Sequence, residues 1–266
     1  MRGSLLDVSW ELEYRNIEIW GTVISIIIPT SEYRATSNRA EAFENACASA
    51  TQFYREIDSR FSTYKEDSEV CKIRTGRLEI KDASPDVKLV WNRTFELREF
   101  TQRAFDPWAV PGGFDPSGYV KGWAAEQSLR FFAEAGFERI QINAGGDIVL
   151  RGGYDSTTPW HIGIRHPDLP DEIAKSFEIF DGAIASSGTY ERGEHVIDPR
   201  VGVPAVGARA ATVIGPDAGI ADALATAVIV DGRDSVNWLG NSAFRSYQFW
   251  AVDKYGDGAW SYNNAE

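Results

Sequence analysis

The sequence predicts an α+β protein, with a mixed, largely antiparallel sheet and helices packed against it. Three observations carry that prediction. Strand-like and helix-like segments are mixed along the chain and do not alternate strictly, as a parallel βαβ fold would require. Short glycine-bearing turns, such as Asn143-Ala144-Gly145-Gly146-Asp147, join neighbouring strand-like runs in the manner of hairpins. No G-x-G-x-x-G follows a strand and no P-loop is present, so a regular dinucleotide-binding pattern is absent.

The elements follow in order. Residues 13–29 read as strand, broken at Gly21-Thr22 and ended by Pro29. A helix is expected over 38–59, with Ser37 as cap. Phe43, Ala46, Cys47, Ala50, Phe53, Tyr54 and Ile57 fall at helical spacing and form its core face. A polar, aromatic loop follows at 60–65. Ser84-Pro85 opens another helix, with Ser84 as cap and Pro85 in the first turn. The segment 104–116, rich in Pro, Gly and aromatics, is loop. A helix over about 120–135 ends at Gly136. Residues 140–143 and 148–151 form a strand pair, 160–165 a further strand, and 166–171 a surface turn. Residues 177–180 and 183–186 are expected to pair through Asp181-Gly182, and 187–206 is loop. A strand at 211–214 leads through Pro216-Asp217 into a helix over 218–230, closed by Gly232. An aromatic strand or hairpin over 247–260 and a frayed end complete the chain.

The 266 residues, 43% hydrophobic and 25% charged, suit a soluble globular composition. No repeat, linker or charge block divides them. The expected organisation is an N-terminal extension over 1–14, a single domain over 15–255 and a tail over 256–266. A net charge of -12 argues against a general nucleic-acid or anionic-membrane surface. Phosphate must then be bound locally, by amides, a few basic side chains or a divalent cation. Two cysteines, Cys47 and Cys71, support neither a disulfide framework nor a cysteine metal site. The N-terminus has no apolar signal core and no cysteine for lipid attachment, which points to a cytoplasmic protein without a membrane anchor.

Two stretches suggest chemistry. FDPSGYVKG (114–122) sets Asp115, small turn-formers and Lys121 at the mouth of a helix, where backbone amides and an ammonium suit an anion. An ordinary strand-to-helix turn is the plainer alternative. In the 218–230 helix Asp222 and Thr226 stand four residues apart on one face, an oxygen pair able to hold a hard cation such as Mg2+. An acidic residue in a favourable first turn is the alternative there. His195 lies between two polar turns, 186–190 and 198–200, as a candidate catalytic group.

Seven segments in order resemble the FAD:protein FMN transferases, the ApbE family. They are Gly21-Thr22, FSTYKEDSEV (61–70), AFDP (104–107), FDPSGYVKGWAAE (114–126), INAGGDIVLRG (142–152), AIASSGTYERGEHVIDPRVG (183–202) and TVIGPDAGIADALATAVIVDG (212–232). The resemblance covers about residues 15–255. It implies an ApbE-like architecture related to the T-fold, and Mg2+-dependent transfer of FMN from FAD to a Thr or Ser hydroxyl of a flavoprotein. The acceptor would carry a Ser-Gly-Ala-Thr-like motif. An FAD pyrophosphatase giving FMN and AMP, or a non-catalytic FAD-binding protein, are the other readings. By the same resemblance Trp20, Tyr64, Ala104, Phe105, Asp106, Asp115, Lys121 and His195 line the FAD site. Asp222, Thr226 and the Gly118 carbonyl hold Mg2+, and Asp222, His195 and Lys121 carry the chemistry. The chain departs from the family at Trp20, where Met is usual, at Pro116-Ser117 in place of Leu-Gly, and at Glu126 in place of Asp.

Overall fold

The computed structural model describes residues 10–167, 169, 171–188, 196–256 and 258–263. Its strands are β1 (Leu12–Ile19), β2 (Thr22–Pro29), β3 (Ile140–Ala144), β4 (Asp147–Arg151), β5 (Trp160–Arg165), β6 (Ile173–Ile179), β7 (Gly182–Gly188), β8 (Ile197–Asp198), β9 (Val203–Pro204), β10 (Ala208–Gly215), β11 (Gln248–Asp253) and β12 (Ala259–Asn263). The α-helices are α1 (Thr30–Tyr33), α2 (Arg39–Phe61), α3 (Glu69–Arg74), α4 (Pro85–Phe100), α5 (Ser117–Glu134), α6 (Ala218–Asp231) and α7 (Val236–Leu239).

Eight strands form one sheet in the order β1-β2-β3-β4-β7-β10-β11-β12, and every neighbouring pair is antiparallel. The α+β expectation therefore holds. The sheet begins at Leu12 and ends at Asn263, because β12 pairs along β11 as an edge strand. It thus extends past both ends of the 15–255 span, and residues 261–263 of the end expected to fray are paired in β12, while 264–266 lie outside the described residues.

One expected pairing is wrong. β6 does not fold back onto β7 through Asp181-Gly182; it pairs with β5 in a separate two-stranded sheet, while β7 runs between β4 and β10. The reason is burial. Trp160, Ile162, Ile164 and Ile179 of the small sheet cover Leu150, Ile184, Ala210, Trp250 and Val252 on one face of the large one. Pairing β6 with β7 would leave that apolar face in water. The loop expected over 187–206 contains, in its described part, the short β8–β9 hairpin.

The helices cover the other face. α6 is apolar almost all round, with eleven buried residues from Ala218 to Val230, as suits a helix with no solvent side. It packs on β7 and β10 and is overlaid by α5, which in turn carries α2. Small residues set the α5–α6 distance: a Cβ on Gly122 would stand 2.4 Å from the Ala218 carbonyl oxygen. The Tyr54 hydroxyl, on α2, lies 2.7 Å from the Ser128 hydroxyl of α5, and both groups are buried between the two helices. Among the described residues no helix is long and apolar enough to cross a membrane.

Candidate active site

Tight turns bring the site together. Trp20 and Gly21 make the β1–β2 turn with φ of 56° and 68°, the left-handed pair that a two-residue hairpin requires. A tryptophan is strained in that conformation, and its ring is held edge-on against Tyr54 at 5.4 Å. Gly145 and Gly146 make the same kind of turn between β3 and β4, close enough that a Cβ on Gly145 would reach the Thr22 hydroxyl at 2.7 Å. The two turns, the start of α5 and the end of α2 enclose a cavity of about 1010 Å3, whose rim includes Trp20 and the exposed Tyr64.

A second cavity of about 350 Å3 adjoins it, lined by Ala104, Phe105, Asp106, Gly118, Asp222 and Thr226 among others. Asp115, Ser117, Lys121 and Gly145 line both cavities and form the wall between them. The structure thus collects every expected site residue it describes around two adjoining spaces. His195 lies outside the described residues.

The details sharpen several expectations. At the start of α5, Asp115 Oδ1 accepts from the Ser117 amide at 3.0 Å and the Ser117 hydroxyl at 2.5 Å. That amide is therefore already satisfied. Asp106 is likewise engaged: Oδ2 accepts from Arg98 Nε at 2.9 Å and Arg103 Nε at 3.1 Å, and Oδ1 from the Trp108 amide at 3.0 Å. Its carboxylate fastens the 104–108 loop to α4. That loop sets Phe105 over Gly118.

The centre of the site is a lysine between two buried carboxylates. Lys121 Nζ, on α5, donates to Asp147 Oδ2 at the start of β4 and lies 3.9 Å from Asp222 Oδ2 on α6. Burial and the Asp147 charge hold the Asp222 carboxyl well above the usual carboxylate range, against the pull of Lys121. Asp222 Oδ2 is buried and has no hydrogen-bond partner. Such an oxygen is costly unless something occupies it. Close by, a Cβ on Gly118 would lie 3.6 Å from Thr226 Oγ1, in van der Waals contact, so the bare glycine backbone is packed near that hydroxyl with no side chain between them. Thr226 Oγ1 is itself 3.4 Å from Ser187 Oγ.

These donors suit a hard cation such as Mg2+: an orphaned carboxylate oxygen, a hydroxyl and a backbone held close by glycine. Among the described residues no group of three or more His, Cys, Asp or Glu side chains has metal-holding geometry. A cation here would need further oxygen ligands from water or substrate. Asp147 was not singled out by the sequence. Its signal was available, since it occupies a buried position in a strand whose other buried residues are apolar, and a carboxylate placed so demands a partner.

The family model for the ApbE family matches residues 111–247. This chain belongs to the ApbE family. Its curated relatives include the FAD:protein FMN transferase of Vibrio cholerae, 32% identical over 131 residues, or 45% of this chain and 39% of that one. The protein of the same description from Rhodobacter capsulatus is 31% identical over 129 residues, 45% of this chain and 24% of that one. The alignment thus spans well under half of each curated relative. Solved ApbE structures extend the likeness of fold to nearly the whole chain. The flavin transferase ApbE from Vibrio cholerae superposes with a TM-score of 0.80 at 21% identity, covering 96% of this chain and 97% of that one. The ApbE protein from Thermotoga maritima gives 0.79 at 22% identity, covering 94% and 96%.

Within ApbE membership, the departures noted in the sequence acquire physical meaning. Glu126 reaches from α5 to the start of α6, where Oε2 accepts from the Ala218 amide at 3.1 Å and Oε1 from Arg151 at 3.4 Å. It locks the two helices that carry Lys121 and Asp222. Pro116 sits at the N-cap of α5, and the helical geometry breaks at Gly118 with φ -80° and ψ 20°.

Proposed function

We propose that this chain transfers FMN from FAD to a Thr or Ser hydroxyl of an acceptor flavoprotein, in a Mg2+-dependent reaction that releases AMP. The observation that carries the reading is the orphaned Asp222 oxygen beside Thr226 and Gly118, next to the wall shared by two cavities. ApbE membership and the description of its relatives as FAD:protein FMN transferases support it from the other side.

FAD joins two large ring systems through a pyrophosphate, and two adjoining spaces with a polar, lysine-bearing wall suit that shape. Asp222, Thr226 and the Gly118 carbonyl would hold Mg2+, which would supply Lewis-acid polarisation of the pyrophosphate and offset charge on the AMP leaving group. Lys121, a compact point charge in the shared wall, offsets charge on the phosphate oxygens. Trp20 and Tyr64 border the larger space, and Phe105 closes the smaller one over Gly118. In the transfer, the acceptor oxygen bonds to the FMN phosphorus and the bond from that phosphorus to the AMP phosphate breaks. The hydroxyl proton passes to a base, with Asp222 and His195 as the two candidates.

The test is AMP release from FAD with and without Mg2+, each with and without a flavoprotein domain bearing a Ser-Gly-Ala-Thr-like motif. Release that needs both, with covalent flavin fluorescence on the acceptor in a denaturing gel, is expected. Release with Mg2+ alone would make the chain an FAD pyrophosphatase, and unchanged FAD throughout would make it a binding protein.

A further inference from the structure

The Lys121 ammonium can satisfy either of two buried carboxylates, and only one of those arrangements leaves a cation site. It donates to Asp147 and stands 3.9 Å from Asp222 Oδ2, too far for a hydrogen bond. Closing that gap by about 1 Å would make a charge-assisted bond of roughly 2.8 Å, within reach of a flexible four-carbon stem. Asp222 would then be neutralised internally, and its open oxygen would disappear. Both carboxylates are nearly inaccessible, with side chains 2% and 7% exposed, so water offers little competition for the ammonium.

We propose that Asp147 is a positioning residue that holds Lys121 away from Asp222, so that Asp222 Oδ2 stays open to a divalent cation. The inference rests on the functional reading only in taking Asp222 as the carboxylate that binds the cation. Asp147 also stands within hydrogen-bonding reach of the Asp222 carboxyl, and its effect on the cation is assigned to its hold on Lys121. Each of the three side chains comes from a different element, β4, α5 and α6, so their separation is fixed by the packing of both helices on the sheet.

The test is calorimetric titration of the FAD-free protein with magnesium chloride, with thermal unfolding as the control for folding. Asp147→Asn, close to isosteric, should weaken Mg2+ binding roughly tenfold or more, in the range of supporting partners at metal sites. Lys121→Met should bind at least as tightly as wild type. The decisive comparison is Lys121→Met with Lys121→Met/Asp147→Asn. If Asp147 acts by restraining the lysine, the two bind alike within about twofold, because nothing is left to restrain. If Asp147→Asn weakens binding as much without the lysine as with it, Asp147 acts by its own charge or as a ligand, and the proposal fails. It also fails if Asp147→Asn alone changes nothing. Asp222→Asn separates this outcome from failure of the functional reading. If wild type shows no Mg2+ binding that Asp222→Asn removes, the metal reading falls and this inference with it. If that dependence holds while Asp147→Asn is silent, only this inference falls.

Discussion

Gly122→Ala tests whether the closeness of α5 and α6 makes the site. A Cβ there would lie 2.4 Å from the Ala218 carbonyl oxygen, 2.7 Å from its carbon and 3.1 Å from the Gly219 nitrogen. All three atoms are backbone, so no side-chain end can swing aside. Reaching an ordinary contact of about 3.4 Å requires the helices to part by roughly 1 Å, and overpacking of this kind costs about 1–3 kcal/mol. The better helix propensity of alanine returns about 1 kcal/mol. Taking the upper part of the overpacking range, the net loss is about 2 kcal/mol, or a fall in Tm of roughly 4–8 °C. Function should suffer more. Residue 121, next in the chain, carries the ammonium, and Asp222 lies one turn beyond Ala218. A displacement of about 1 Å between them is enough for about a hundredfold loss of AMP release. Thermal unfolding and AMP release on the same preparation measure both effects. A variant with wild-type Tm and wild-type turnover would show that the helices do not meet at this contact and that the site does not depend on it.

Gly118→Ala should do the opposite. Its φ of -80° suits alanine, and the new methyl would lie 3.3 Å from Phe105 and 3.6 Å from Thr226 Oγ1. Unfolding free energy should change by no more than about 1 kcal/mol, since the propensity gain is offset where Phe105 must give by a few tenths of an ångström, while Mg2+-dependent AMP release falls at least tenfold; the two measurements together separate fold from site. Glu126→Ala removes the acceptor for the Ala218 amide and the partner of Arg151, and should lower the unfolding free energy in urea by about 1–2 kcal/mol. Burial pushes the Cys47 thiol from an ordinary 9.0 up to about 12, so at pH 8 it should not react with a thiol reagent until the protein unfolds. Cys71, half-exposed, is the reference thiol in that assay. The stability linked to Cys47 is fully present below pH 9.0 and is lost as pH rises through about 12, so alkaline unfolding should shift upward in Cys47→Ser at constant packing.

Much of the fold was legible because the relevant signals are local. The core face of α2 follows from 3.6-residue spacing, and Gly136 and Gly232 terminate their helices with φ of 80° and 53°. The partner of β6 was not legible. Asp181-Gly182 has the composition of a hairpin turn, yet Gly182, at φ 135°, redirects the chain from the small sheet into the large one. A strand's own residues specify its faces and leave its partner to the rest of the molecule. Here the choice was made by Leu150, Ile184 and Trp250, which needed a cover.

The site divides along the same line. Asp222 and Thr226 could be paired from sequence because a helix places i and i+4 together whatever surrounds it. Asp147 could not be joined to them, since its neighbours lie on two other elements. Nor could the sequence show why Asp222 is unusual. That depends on α6 being buried over most of its surface, with alanines at 221, 223, 225 and 227 that let α5 and the sheet pack closely around it. Small residues near the carboxylate exclude water from it, and exclusion of water is what makes an unpartnered oxygen costly. If Asp222 binds a cation as proposed, the cation is held by the same free energy that the metal-free fold must bear, and the alanines of α6, which have no polar chemistry of their own, then help to set its affinity.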